Sequence, residues 1–147
     1  LKTRSPIVVT EVGIVIDVGP NYSKVRSIID DTNNVSAMVT TTGDNFNVSG
    51  NLQTMNESMV ITFSELRDDE NLVKVGDAVV TSYVSDMYQQ GILIGYIASI
   101  ENSPNNLTKM GTITPVVDFD HLEDVLVITK LKETSDPQGA SATEAGE

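Results

Sequence analysis

Short runs of β-branched residues, separated by turn residues roughly every ten positions, make up most of the chain. These runs are PIVVT, GIVIDV, KVRSII, VSAMV, SMVITF, AVVTS, ILIGYIASI, GTITPVV and VLVITKL. Such segments are typical of the strands of a sandwich or barrel. Helical segments are expected only at residues 63–66 and 121–124. The pattern therefore predicts an all-β protein with short helical turns only.

The strand pattern occurs twice, once from PIVVT to VSAMV and again from DAVVT to VLVI. The aligned positions are Val8-Val9-Thr10 with Val79-Val80-Thr81, Gly13 with Gly95, Val15 with Ile97, Val18 with Ile100, Lys24 with Lys109 and Asp30 with Asp118. A recurring supersecondary unit predicts two related modules. Each copy supplies about four strands, which would leave open sheet edges, so residues 43–71 must add strands. We expect two small related β-barrel modules in tandem.

The module boundaries follow from this alignment. The first module is expected at residues 7–66 and the second at residues 67–132, and strands from residues 43–66 are candidates for sharing between the two. Residues 133–147 contain no large apolar side chain. Such a segment cannot bury enough surface to offset its ordering entropy, so a disordered tail is predicted there.

The composition of the chain argues against several classes of function. The net charge is −12 and only nine residues are Lys or Arg, which argues against binding to nucleic acid or to an anionic membrane surface. The absence of cysteine excludes disulfides and thiolate chemistry. The chain begins at Leu1 and has no run of about 20 apolar residues, so we interpret it as a fragment without its targeting region.

Candidate chemistry is concentrated in TPVVDFDHLEDVLVITK, which contains four carboxylates and the single histidine, His121. The carboxylates are Asp118, Asp120, Glu123 and Asp124. They could bind calcium or support acid–base catalysis, but no EF-hand glycine, GxSxG motif or second histidine accompanies them. We therefore favour a polar turn between two strands, without catalytic, cofactor or metal-binding residues. RDDEN, residues 67–71, is interpreted in the same way as a solvated loop.

Within this turn, Phe119 and Leu122 interrupt the acidic residues and are expected to plug a barrel end. The carboxylates would then face water. The strand at residues 125–131 would be the last ordered element.

Four motifs together resemble the extracytoplasmic domain of the MreC family of rod-shape-determining proteins. They are GPNYSKV, VKVGDAVVTS, GILIGYIASI and TPVVDFDHLEDVLVI, and the resemblance covers about residues 6–131. Two departures stand out: TEVG replaces the family's GLIG-like tetrad, and SDMYQQG has lost most of the glycines and the proline usual after VVTS.

The resemblance implies a pair of small β-barrels without catalytic activity or cofactor. It implies an extracytoplasmic scaffold at the cell membrane that self-associates and helps determine bacterial cell shape by organising peptidoglycan synthesis. The implied partners are a class B penicillin-binding protein, MreD and other shape proteins. A membrane helix and a coiled coil would lie upstream, so residues 1–6 would be a truncated lead-in from that coiled coil.

One loop offers a candidate contact patch for such partners. Val84, Met87 and Tyr88 lie among the apolar residues of the loop at residues 83–92. If exposed, they would form an apolar surface; the alternative is that they pack over a barrel end. Two other functions stay open at this point: a barrel-fold hydrolase that would need His121, and a calcium-dependent adhesive module.

Overall fold

The computed structural model describes residues 10–84 and 87–129. Its strands are β1 (Gly13–Val18), β2 (Ser23–Ser27), β3 (Asn34–Val39), β4 (Asn45–Ser49), β5 (Ile61–Leu66), β6 (Ala78–Thr81), β7 (Leu93–Asn102) and β8 (Lys109–Pro115). One short helix, α1 (Leu52–Ser58), precedes β5. The all-β prediction is confirmed.

Six of these strands close a barrel in the order β3-β4-β5-β8-β7-β6, and all their pairings are antiparallel. Closure removes the open edges that make an isolated sheet prone to association. The interior is filled by alternate side chains of the strands. The most deeply buried members are Val35, Ala37, Val39, Val48, Ile61, Val79, Ile94, Ile97 and Ile113.

The remaining two strands, β1 and β2, form a separate antiparallel hairpin. Its base is closed by the carbonyl of Val12, which accepts hydrogen bonds from the Ile28 N–H at 3.0 Å and the Ser27 hydroxyl at 3.1 Å. Thr10 forms an isolated parallel bridge with Leu93 of β7. The hairpin therefore adjoins the barrel at one end of β7.

Two tandem barrels are not confirmed in residues 10–84 and 87–129, where the structure has one closed barrel and one hairpin. The barrel takes three strands from each side of the expected boundary at residue 66. The two halves join where β5 pairs with β8 and where β3 pairs with β6. These pairings connect strands that are far apart in sequence, and alternation along the chain does not specify them.

The helix is at a different place from the one expected. Residues 63–66 belong to β5, where Phe63 pairs with Gly111 of β8 and the β-branched residues before it favour an extended chain. Helix α1 begins instead after Asn51, whose side chain accepts a hydrogen bond from the Thr54 N–H at 3.0 Å. It ends at Met59, which has a left-handed backbone with φ 56°.

Two further expectations concern the C-terminal side. The described part of the closing strand, residues 125–129, has no strand structure, and residues 121–124 form no helix. The side chains at 125–128 are exposed, so no sheet edge covers them. Residues 130 and 131, the lead-in at 1–6 and the tail at 133–147 lie outside the described residues.

Candidate functional site

The acidic turn that contains His121 is an exposed loop following β8. The Asp118 carboxylate accepts a hydrogen bond from the Asp120 N–H at 3.1 Å, and its other oxygen lies 3.0 Å from His121 Nδ1. The first contact is the side-chain-to-backbone bond with which aspartate stabilises turns. The second lowers the pKa of Asp118, assisted by the Asp120 N–H and opposed by slight desolvation. Both side chains of the pair are mostly exposed.

The geometry is that of an exposed polar turn, but no strand follows it in residues 121–129, so the expected position between two strands is wrong. The four carboxylates face water, and within residues 10–84 and 87–129 no cluster of three or more histidine, aspartate or glutamate side chains has the arrangement needed to hold a metal ion. His121 makes its side-chain contact with Asp118, and among the described residues no serine hydroxyl is bound to it. Phe119 is partly buried and packs against the core, whereas Leu122 is exposed, so the expectation that Leu122 is buried is wrong.

A shallow groove runs beside this turn. A space of about 320 Å³ is bordered by Met55 and Met59 from the helical segment and by Val116, Val117 and His121 from the turn. A second space of about 430 Å³ lies between Thr10, Val12 and the acidic side of the same turn. Both are open depressions, the first with mainly apolar walls and the second with mainly polar and acidic walls, and such a surface is suited to protein contact rather than to enclosing a small substrate.

The candidate contact residues in the loop at residues 83–92 differ in their exposure to solvent. Val84 and Met87 are exposed, as expected for a contact surface. Tyr88 is 4% exposed, and its hydroxyl donates to Asn33 Oδ1 at 3.0 Å. Of the two alternatives left open, exposure therefore does not hold for Tyr88: its ring is packed in the core, and Asn33 satisfies its polar end. The alternative, packing over a barrel end, fits Tyr88.

A buried ion pair was missed in the RDDEN segment. Asp68, with a side chain that is 2% exposed, accepts from Lys109 Nζ at 2.7 Å, and Lys109 also donates to Asn71 Oδ1. Burial alone would raise the pKa of Asp68, but the hydrogen bonds from Lys109 and from the N–H groups of Leu72 and Val73 outweigh it and lower the pKa. The prediction of a fully solvated loop was wrong at Asp68, because a distant strand supplies its cation.

Glu11 was also missed. It lies between the Thr10 bridge and β1 and is 6% exposed, and its N–H donates to the Leu93 carbonyl at 2.8 Å. Burial raises the pKa of Glu11 to about 7, and a hydrogen bond from the Gly13 backbone partly opposes that shift. The sequence signal for this burial was the position of the glutamate between two β-branched runs. It was not decisive, because a charged side chain at a strand boundary is usually exposed.

The predicted repeat can be compared with the two hairpins that carry it. In β1–β2, Gly13 pairs with Ser27 and Val15 with Val25; in β7–β8, Gly95 pairs with Pro115 and Ile97 with Ile113. Each hairpin has a register shift directly after the second of these pairs. An added Cβ at either glycine would meet a backbone carbonyl of the partner strand, Arg26 O at 2.3 Å or Thr114 O at 2.1 Å.

The hairpin registers do not support the predicted alignment of Lys24 with Lys109. Counted from these matching pairs, Lys24 of β2 occupies the place of Thr112 in β8, not that of Lys109.

Within the described residues, no helix is long and apolar enough to cross a membrane.

Comparison with known proteins gives consistent matches. The family model described as "Rod shape-determining protein MreC, barrel core" matches residues 2–129. Cell shape-determining MreC proteins of Geobacillus stearothermophilus and Bacillus subtilis are each 32% identical over 72 residues, which is 49% of this chain and 25% of theirs. The match thus spans about a quarter of these relatives.

Solved structures of the same kind share the fold. MreC from Listeria monocytogenes has a TM-score of 0.63 at 27% identity, covering 73% of this chain and 50% of that one. MreC from Pseudomonas aeruginosa has a TM-score of 0.58 at 16% identity, covering 73% and 68%. MreC from Helicobacter pylori, solved as a complex with the penicillin-binding protein PBP2, has a TM-score of 0.55 at 16% identity, covering 69% and 59%.

Proposed function

The chain belongs to the MreC family of rod shape-determining proteins, and on that basis we propose that it is a non-catalytic scaffold that helps determine bacterial cell shape. In this role it binds a class B penicillin-binding protein outside the cytoplasmic membrane and so organises peptidoglycan synthesis. The observation that carries the proposal is the Helicobacter pylori complex, in which an MreC chain of the same fold is bound to PBP2. MreD and self-association are further contacts that we propose for the full-length protein.

The exposed residues support a role in protein contact. A closed barrel presents no free strand edge, so partners must bind its side chains or the elements attached to it. Val84 and Met87 are both exposed apolar side chains and are here together called the loop patch. Buried Tyr88 holds the loop in place from inside. An apolar surface on an anchored loop costs little ordering entropy when a partner binds.

The hairpin supports a second part of the proposal, the tandem modules. We propose that β1–β2 belongs to a second barrel module related to the one that contains β7–β8. Val15 and Val25 are 39% and 51% exposed, whereas Ile97 and Ile113, at the corresponding places of β7–β8, are 2% and 0% exposed. A hairpin patterned like the barrel wall leaves apolar surface that further strands would cover.

No observation favours the two other functions weighed from the sequence. A hydrolase would need His121 beside a nucleophile, and its partner is Asp118 on an exposed turn. A calcium-dependent module would need converging carboxylates, and in residues 10–84 and 87–129 such a cluster is not found.

The proposal is tested by binding of this chain to the extracytoplasmic domain of the class B penicillin-binding protein from the same bacterium, measured by biolayer interferometry. We expect saturable binding that Val84→Ser with Met87→Ser weakens about tenfold or more, since central apolar contacts dominate protein interfaces. The control is Leu107→Ser, which removes an even more exposed apolar side chain from the β7–β8 loop.

The outcomes separate the claims. If the control lost as much binding affinity as the loop variant, the loop patch would not be the binding surface. The proposed scaffold role would be unaffected. Absence of saturable binding by the unmodified chain would overturn the proposed partner.

A further inference from the structure

A buried polar cluster joins the hairpin to the barrel. Glu11, Asn33 and Tyr88 are each no more than 6% exposed. The Glu11 N–H donates to the Leu93 carbonyl at 2.8 Å, and the Tyr88 hydroxyl donates to Asn33 Oδ1 at 3.0 Å. Asn33 Nδ2 in turn donates to the Ser27 carbonyl at 3.0 Å. These bonds connect Glu11, two residues before β1, with β7, and they connect Tyr88 through Asn33 with the end of β2.

Two ionisable side chains accompany Glu11 in this cluster. Tyr88, from the β6–β7 loop, has its pKa raised by burial and further by the Glu11 charge, while the Asn33 hydrogen bond and the charge of Arg26 on β2 act in the opposite direction. From β7 the described contact is the backbone carbonyl of Leu93. The surroundings therefore hold one partly buried cation, Arg26, and several neutral dipoles.

We propose that this junction is a pH-sensitive latch: while Glu11 carries a proton, the hairpin and the Tyr88 side chain stay docked on the barrel, and loss of that proton loosens both. A neutral carboxylic acid tolerates the dry junction, whereas a carboxylate there loses most of its hydration. Opening the junction restores that hydration, so ionisation shifts the equilibrium towards the open state.

The direction of the pH effect follows from the proton balance. The docked state holds the Glu11 proton up to a pKa of about 7, whereas an opened junction releases it near the ordinary value of 4.5. The docked state binds more protons between these values, so docking weakens as pH rises through them and levels off above about 7. The ratio of open to docked molecules rises at most about 300-fold over the whole range, which corresponds to the 2.5 pH units between the two values.

The latch is tested on the unmodified chain by two NMR measurements. The side-chain carboxyl carbon of Glu11 gives its titration midpoint directly, which we expect near 7. Amide hydrogen exchange, corrected for the intrinsic effect of pH, reports opening at the Glu11 N–H and at the Gly91 N–H, which donates to the Thr81 carbonyl at 2.9 Å. Between about pH 5 and about pH 8 we expect protection of both to fall by several tens-fold.

The matched variants separate this mechanism from a general charge effect. Glu11→Gln keeps the shape of the side chain without the charge and should abolish the pH dependence at both amides. Glu101→Gln makes the same change at an exposed site of β7 and should leave it intact. The internal control is the Val39 N–H, which donates to Asp44 within the β3–β4 hairpin and should not respond.

Three results would overturn the latch. The first is a Glu11 midpoint near its ordinary value. The second is an unchanged pH dependence in Glu11→Gln. The third is an equal loss of protection at Val39, which would mean that the whole chain unfolds rather than that the junction opens.

Discussion

The hairpins β1–β2 and β7–β8 have the same local plan and different surroundings. In both, the first pair of the ladder contains a glycine pressed against a partner-strand carbonyl, and the register shifts after the third pair. In β7–β8 the inner side chains fill the barrel, whereas in β1–β2 the corresponding side chains are partly exposed. The strand pattern and the register are therefore set within each hairpin, whereas the burial of its side chains depends on which other strands pack against it.

The difference has an energetic consequence. Burying apolar area is worth roughly 25 cal/mol per Å², so β7–β8 draws stability from the whole barrel and β1–β2 mainly from its own ladder and its junction. A two-stranded hairpin alone is marginal in water. The barrel should accordingly be the stable unit of this chain, and the hairpin its readily opened attachment.

The largest difference in the free energy of unfolding is expected between substitutions of Lys109 and Lys24, the two lysines that the predicted repeat aligned. Lys109→Met leaves Asp68 buried without its cation, and we expect a loss of about 3–5 kcal/mol in the free energy of unfolding. Lys24→Met on the exposed hairpin should change it by less than about 0.5 kcal/mol. Urea unfolding followed by circular dichroism measures both.

A double variant identifies the cause of that loss. Lys109→Met combined with Asp68→Asn removes both charges and should recover much of the stability, since an uncompensated buried carboxylate is the costly species. If Lys109→Met were as mild as Lys24→Met, the ion pair would not hold the loop, and the contrast between the hairpins would lose its electrostatic part.

A smaller difference in the free energy of unfolding is expected between alanine substitutions at corresponding positions of β8 and β2. Ile113→Ala removes atoms from a closed core and should cost about 2–5 kcal/mol, whereas Val25→Ala should cost less than about 0.5 kcal/mol in this chain. Thermal unfolding checks both. A cost for Val25→Ala comparable to that of Ile113→Ala would show that the hairpin face is covered, contrary to its observed exposure.

The sequence predicted local features best. The span GIVIDV coincides with β1, and the glycine-led repeat from Gly13 and Gly95 recurs as paired hairpins with a common register. These features depend on alternation and on close backbone contact, both of which are encoded within a few residues. The polar turn at Asp118 is equally local, because its bonds lie within three residues.

Features that depend on distant partners were not predictable in this way. The pairing of β5 with β8 makes one barrel from strands of both expected modules. Tyr88 and Asp68 are buried because Asn33 and Lys109 approach them across the fold. Helix α1 was missed for a different reason: LQTMNES has one buried side chain, Met55, so its apolar periodicity is too weak to detect, and the Asn51 cap defines its start.

We expect the barrel to unfold as one cooperative unit and β1–β2, which pairs with no further strand within residues 10–84 and 87–129, to open before it. Native-state hydrogen exchange at one fixed pH, followed through increasing denaturant, tests it most directly because it gives an opening free energy for each amide. We expect barrel amides to share one large free energy and denaturant slope, and the amides of β1 and β2 to open at least about 2 kcal/mol more easily with a smaller slope. Equal free energies and slopes in the two regions would contradict the account.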